Sequence, residues 1–231
     1  MAIALAVRLI ETGIRPLLTY RSEAGRQRID DRFASSQGCC GIAFFDLGKP
    51  DSINTLLTAM GKELDYVVDF AQGDFENFIA SADGDEVAQY IHENVSMRAH
   101  LLKEVGRLML ARRKGRLVFV SSIAAQWPNQ GQGFYAASKL AVEALYKNIG
   151  LELGKRGVTA VTLRPGYVSA GRGRSFIEKN EKEIMRRIPT GKTLSAEEIA
   201  AAIMFLLSDS ATGFNATELT MDGGLTAGKQ L

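Results

Sequence analysis

Apolar positions along the chain follow two alternating rhythms. Short β-branched and aromatic runs at 16–20, 41–46, 65–70, 116–121, 158–163 and 218–221 predict strands. Between them, apolar residues three or four apart predict helices at 22–34, 51–63, 84–112, 134–154 and 195–208, and Ile3, Val7 and Ile10 mark another over 2–11. The runs Leu117-Val-Phe-Val120 and Val158-Thr-Ala-Val161 do not alternate with polar residues, as expected of parallel strands covered on both faces. The pattern predicts a doubly wound α/β sheet in a single domain spanning 1–231. No internal repeat, low-complexity tract or linker divides it. One long irregular stretch, 166–194, leaves the carboxyl end of the fifth strand and reads as a lid or binding loop.

The order of the first elements is unusual. A helix that stops near Gly13 and feeds a strand at 16–20 is the second half of a βαβ unit, so the strand and loop expected before it are absent from the sequence.

Composition narrows the function classes. The apolar fraction is 46% and the charged fraction 23%, as in ordinary globular domains. A net charge of +2 gives no global basic field for nucleic acid. No apolar run reaches the roughly 18 residues that a membrane span needs, and Arg8, Glu11 and Arg15 interrupt the place of a signal peptide. The adjacent Cys39 and Cys40 cannot frame a disulfide scaffold, so a reduced, cytoplasmic setting is expected. His92 and His100 match no zinc spacing, and no metal site is expected.

Candidate chemistry lies in Phe134-Tyr-Ala-Ala-Ser-Lys139. Tyr135 and Lys139 are four apart on a helix and project from one face. An ammonium near a phenol favours the phenolate, which suits the tyrosine to proton transfer near neutral pH. Alone the pair is a weak signal that a solvated helix face would also give. Thirteen residues earlier Ser122 ends a predicted strand, and twenty-eight before that Asn94 sits among Val95, Leu101 and Leu102. Arg164-Pro-Gly-Tyr-Val168 and Met221-Asp-Gly-Gly224 follow the last two strands.

With these motifs the chain resembles the short-chain dehydrogenase/reductases, and is most similar to beta-ketoacyl-[acyl carrier protein] reductases, over residues 1 to about 226. The resemblance implies a Rossmann-like fold and an oxidoreductase using NAD(P)H. It implies Tyr135 as the acid that protonates the carbonyl oxygen, Ser122 as its hydrogen-bonding partner, Lys139 as the residue that holds the nicotinamide ribose, and Asn94 as support for a water leading to that lysine. Arg21 and Ser22, ending the second strand of the family pattern, favour NADPH, because a guanidinium can pair with a 2′-phosphate. An exposed charge capping a loop is the other reading of Arg21. Asp46 and Leu47 resemble the pair that flanks the adenine, and Ala71, Pro165, Gly166 and Val168 match backbone positions along the cofactor.

Three departures from the pattern stand out. The family's first strand and its Thr-Gly-x-x-x-Gly-x-Gly turn are absent, which removes part of the diphosphate cradle. In the family's strand order that strand lies at the centre of the sheet. Its loss leaves two strands facing a gap of roughly 10 Å, with unpaired buried groups costing about 1–3 kcal/mol each in a domain stable by ~5–15 kcal/mol. Either the strands close up, another segment fills the slot, or the sequence is a shortened version of a longer product. Second, Asp69-Phe-Ala-Gln72 replaces Asn-Asn-Ala-Gly, which is expected to place a charge and a ring beside the adenosine half. Third, Ala170 stands where a threonine often contacts the cofactor.

Partners follow from charge and from the resemblance. Arg113 and Arg156 fall where ketoacyl reductases dock an acidic acyl carrier protein, and the stretch 166–194 adds Arg172, Arg174, Lys179, Lys182, Arg186 and Arg187 against three glutamates. Solvated loop charge is the alternative. Helices 84–112 and 134–154, with Ala136, Ala137, Ala141 and Ala144, match the family's oligomer interface, so a homo-oligomer, dimer or tetramer, is expected, and a hetero-oligomer remains open. Two functions fit: an NADPH-dependent 3-oxoacyl thioester reductase, or a non-catalytic reductase-like subunit that binds a homologue or carrier protein and no longer holds dinucleotide.

Overall fold

The computed structural model describes residues 1–36, 38–171 and 173–228. Six strands, β1 (Leu17–Tyr20), β2 (Gly41–Phe44), β3 (Tyr66–Asp69), β4 (Gly115–Val120), β5 (Val158–Pro165) and β6 (Thr217–Met221), alternate with helices. The helices are α1 (Ala2–Glu11), α2 (Glu23–Phe33), α3 (Asp51–Met60), α4 (Gly84–Ile91), α5 (Arg98–Arg112), α6 (Gly133–Leu153), α7 (Gly173–Arg187) and α8 (Ala196–Leu207). All pairing is parallel, as the unbroken apolar runs predict. Every residue of β4 is buried, and its side chains divide between two layers. Leu117 and Phe119 meet α3, α5 and α6, whereas Val118 and Val120 meet α1 and α8.

The sheet is split. β1 pairs with β2, β3–β4–β5–β6 form a second ladder, and β1 and β3 are not hydrogen-bonded to each other. The strands have therefore not closed up, and among the described residues no other strand fills the slot. A cavity of about 820 Å³ lies there, walled by Leu17–Tyr20 on one side and Tyr66–Asp69 on the other. The helical layers hold the walls apart: α1 packs on α8 through Leu5 and Leu9, and α3 packs into the opposite core through Ile53 and Leu56.

Two predicted elements change. The helix 84–112 is interrupted by a π-turn, His92–Met97, between α4 and α5. The stretch 166–194 is not irregular, because it contains α7, kinked at Asn180. Charged residues dilute the periodicity of α7, and among its described residues Ile177 and Ile184 are buried to anchor it, with Ile188 just beyond its end. Arg172 lies outside the described residues.

Candidate active site

The carboxyl end of β4 delivers Ser122, whose Oγ accepts from the Ala124 N–H at 3.1 Å and so keeps its own proton available to donate. The apolar helix α6 then brings Tyr135 and Lys139 to the same end. Lys139 is 3% exposed. Its Nζ donates to the Val120 carbonyl at 2.9 Å, lies 4.8 Å from the Phe119 ring centre and 5.8 Å from that of Tyr135. An ammonium is thus held beside a half-buried phenol, and the main chain of β4 joins Lys139 to the strand that ends at Ser122.

Asn94 lies in the π-turn and is completely buried. Such turns widen a helix locally and recur at functional sites. Its Oδ1 accepts from the Gly73 N–H at 2.7 Å and its Nδ2 donates to the Tyr90 carbonyl at 3.0 Å. Asn94 therefore clamps the loop after β3. Gly73 is required by this contact, since a Cβ there would fall 2.7 Å from Asn94 Nδ2.

The departure at 69–72 takes a different form from the one expected. Asp69 borders the cavity, but its carboxylate is paired inside the chain. Its Oδ2 accepts from Arg98 Nε at 2.7 Å and from the Tyr146 hydroxyl at 3.2 Å, and its Oδ1 accepts from the Ala71 N–H. Arg98 also donates to the carbonyls of Asn94 and Ala71. Burial, reinforced by the Asp69 carboxylate, drives the Tyr146 pKa well above its ordinary value. Phe70 packs with the α1 and α8 core. Gln72, where the family has glycine, donates to the Tyr90 hydroxyl at 2.6 Å.

Arg98 and Tyr146 are site-supporting residues that sequence reasoning missed. The one available signal was a pair of polar residues, Asn94 and Arg98, a turn apart on the buried stripe of Leu101, Leu102 and Val105. A second missed network lies one turn beyond Lys139, where buried Glu143 accepts from Arg164 Nε at 2.8 Å and from Ser121 Oγ at 2.5 Å. The Glu143 hydrogen bonds raise the Arg164 pKa, so the guanidinium stays charged.

The expected cofactor positions lie at the carboxyl ends of β1, β2, β3 and β5. Arg21 is exposed at the end of β1. Ser22 caps α2, accepting from the Gly25 N–H at 3.2 Å. Asp46 Oδ1 accepts from the Gly48 N–H, Leu47 is buried, and Arg21, Asp46, Leu47, Ala71 and Asn94 all border the cavity of the split sheet. Pro165 ends β5, and Gly166 donates to the Met221 carbonyl at 2.8 Å. A Cβ on Gly166 would meet Asp222 Cα at 2.9 Å. Val168 pairs with Leu194, and Ala170 follows with its N–H on the Val168 carbonyl. Burial tends to raise the Asp222 pKa, but hydrogen bonds from Thr226, Gly224 and Leu225 outweigh it and lower the value.

These residues fit the two ends of a dinucleotide: a guanidinium and a carboxylate for the adenosine half, a buried lysine for the nicotinamide ribose. Between them the start of α1 borders the cavity at Ala2, with no side-chain cap from Met1, and its free N–H groups would face a diphosphate. Among the described residues no His, Cys, Asp and Glu cluster could hold a metal, and no helix is long and apolar enough to cross a membrane.

Exposed Arg113 and Arg156 sit beside each other at the amino ends of β4 and β5, the sheet edge opposite Ser122. Their neighbours Arg112 and Lys114 pair with Asp65 at 3.3 and 3.1 Å. On α6, Leu140, Ala144 and Leu151 form an exposed apolar stripe, while Ala136 is buried within the chain.

The family described as enoyl-(acyl carrier protein) reductase matches residues 1–226. The 3-oxoacyl-[acyl-carrier-protein] reductases of Salmonella typhimurium and Escherichia coli are each 28% identical over 222 residues, covering 96% of this chain and 91% of their own. A solved short chain dehydrogenase/reductase family protein superposes with a TM-score of 0.85 at 26% identity, covering 98% of this chain and 92% of its own. Parallel sheet, crevice and relatives agree, and the chain belongs to the short-chain dehydrogenase/reductase family.

Proposed function

We propose that the chain is an NADPH-dependent carbonyl reductase acting on a 3-oxoacyl thioester in cytoplasmic fatty-acid or polyketide-like synthesis. The observation that carries this reading is the buried Lys139 ammonium 5.8 Å from the Tyr135 ring centre, on the helix that faces the strand ending at Ser122. Ser122 Oγ–H donates to the substrate carbonyl oxygen. Tyr135 passes its phenolic proton to that oxygen as negative charge develops there, and Lys139 stabilises the phenolate left behind. NADPH, when bound, supplies the hydride. Arg21 would hold its 2′-phosphate with Ser22 alongside, Asp46 and Leu47 would flank the adenine, and Ala71, Pro165, Gly166 and Val168 would line its path. Asn94 keeps the loop after β3 in place and, in the family pattern, supports a water toward Lys139.

The substrate class rests on the names of the relatives, which act on carrier-bound 3-oxoacyl groups. Exposed Trp127 and the stacked Tyr167 and Phe176, 6.3 Å apart, offer apolar walls for an acyl chain. In the family pattern Arg113 and Arg156 would carry the docking charges for an acidic carrier protein, at the end of the sheet away from Ser122. The exposed stripe Leu140, Ala144 and Leu151 suits a homo-oligomeric contact.

A second reading, a non-catalytic subunit without dinucleotide binding, is favoured by the break in the sheet where the diphosphate would lie. Fluorescence titration with NADPH and turnover of a β-ketoacyl thioester separate the two. The reductase reading expects saturable binding and a Tyr135→Phe variant with unchanged affinity and turnover reduced about 10²–10⁴-fold. Absence of binding at millimolar NADPH overturns it.

A further inference from the structure

Glu143 stands one turn beyond Lys139 on α6 and is as deeply buried, at 3% exposed. Its neighbours Val142 and Tyr146 lie in the apolar core, so burial alone would be met here by an aliphatic side chain. Instead, three donor atoms meet on one carboxylate. Oε1 accepts from Ser121 Oγ at 2.5 Å and from Arg164 Nε at 2.8 Å, and Oε2 accepts from Arg164 Nη2. The two-pronged contact with the guanidinium fixes direction as well as distance. Each partner precedes a residue of the site. Ser121 adjoins Ser122 at the carboxyl end of β4, and Arg164 adjoins Pro165–Gly166 at the carboxyl end of β5. The Ser121 N–H donates to the Leu163 carbonyl at 2.8 Å, which joins the two strand ends, and Lys139 Nζ ties the Val120 carbonyl to α6 at 2.9 Å.

We propose that Glu143 is a positioning residue: through Ser121 and Arg164 it sets where Ser122 and the Pro165–Gly166 segment stand relative to Tyr135 and Lys139. The assignment rests on the reductase reading above. Ser122 and Tyr135 must reach one carbonyl oxygen together, and a displacement of about 1 Å costs on the order of 10²-fold in rate. Apolar packing of α6 on the sheet has no preferred direction, whereas the fork between two planar groups does. Stability alone is the weaker account of the pair, because a buried ion pair can be exchanged for apolar side chains of similar volume with little or no loss of stability. Such an exchange removes the one anchor that α6 shares with both strand ends. Glu143 acts through its two partners and is not itself a catalytic residue.

The test uses the full chain and two variants chosen to keep the fold. Glu143→Leu with Arg164→Met removes both charges at similar volume, and Arg164→Lys keeps the charge but loses the fork. The double variant is expected to unfold at a urea midpoint near the parent's, while kcat for a β-ketoacyl thioester falls about 10–100-fold in both variants. Hydrogen exchange followed by mass spectrometry is expected to quicken about tenfold in 121–125 and 166–168 of both, with the other strands unchanged. Parental kcat and parental local exchange in the double variant would make the pair structural only and overturn the proposal. The same values in Arg164→Lys would overturn it too, since charge without the fork would then suffice. A parent that reduces no β-ketoacyl thioester would sink the reductase reading instead and leave exchange to decide this one. Quickening confined to the two strand ends then supports Glu143 as their anchor, and quickening spread evenly over the sheet, or none, overturns it.

Discussion

Arg98 Nε lies 2.7 Å from Asp69 Oδ2, with the two side chains only 1% and 4% exposed. This pair turns the most suspicious substitution in the cofactor-side loop into an internal brace. It ties β3 to α5, and through Tyr146 to α6, while the same guanidinium holds the carbonyls of Asn94 and Ala71.

Breaking a buried pair strands a charge, at a cost of about 3–5 kcal/mol, whereas replacing both partners removes the penalty. Arg98→Met and Asp69→Asn are each expected to lower the urea midpoint sharply, and the double variant to lose much less than the sum. Additive losses in that double-mutant cycle would show that the two side chains do not act as a unit.

Arg21 is exposed and costs the fold little to remove, so its substitution isolates cofactor choice. A charge-assisted hydrogen bond to phosphate contributes about 1.5–3 kcal/mol. Arg21→Ala is expected to weaken NADPH binding about 10–100-fold and to leave NADH binding unchanged, as read by fluorescence titration. Equal weakening of both would move Arg21 away from the 2′-phosphate.

The hydrogen bonds to Asp222 set the sign of a pH dependence in stability. Burial pulls its pKa up, but the donors of Thr226, Gly224 and Leu225 prevail and hold it below the ordinary value. A folded pKa below the unfolded one, about 3.9, contributes stability that is fully present above that value and is lost as pH falls through the folded value. Asp222→Asn is expected to be less stable than the parent at about pH 7 and pH 5, with the gap narrowing below about pH 4. A gap as wide at about pH 3, by urea unfolding, would contradict the shift.

The strands, the helices other than α7, and the positions of Ser122, Tyr135 and Lys139 were legible because each depends on a local pattern: a run of apolar residues, a spacing of four, a hydroxyl at a strand end. α7 was hidden because its few buried isoleucines are spread among charges. The π-turn at Asn94 was hidden because a single widened turn carries no residue signature of its own.

Residue type and spacing by themselves determined the parallel α/β fold and the family, since hydrophobic periodicity is written into contiguous sequence. Only the tertiary structure decided that the walls of the slot stand open, that Asp69 is neutralised by a residue 29 positions away, and that Arg113 and Arg156 sit opposite the serine. Those outcomes depend on which distant segments share a layer. Packing of helices against the sheet sets that, and no stretch of chain contains it alone.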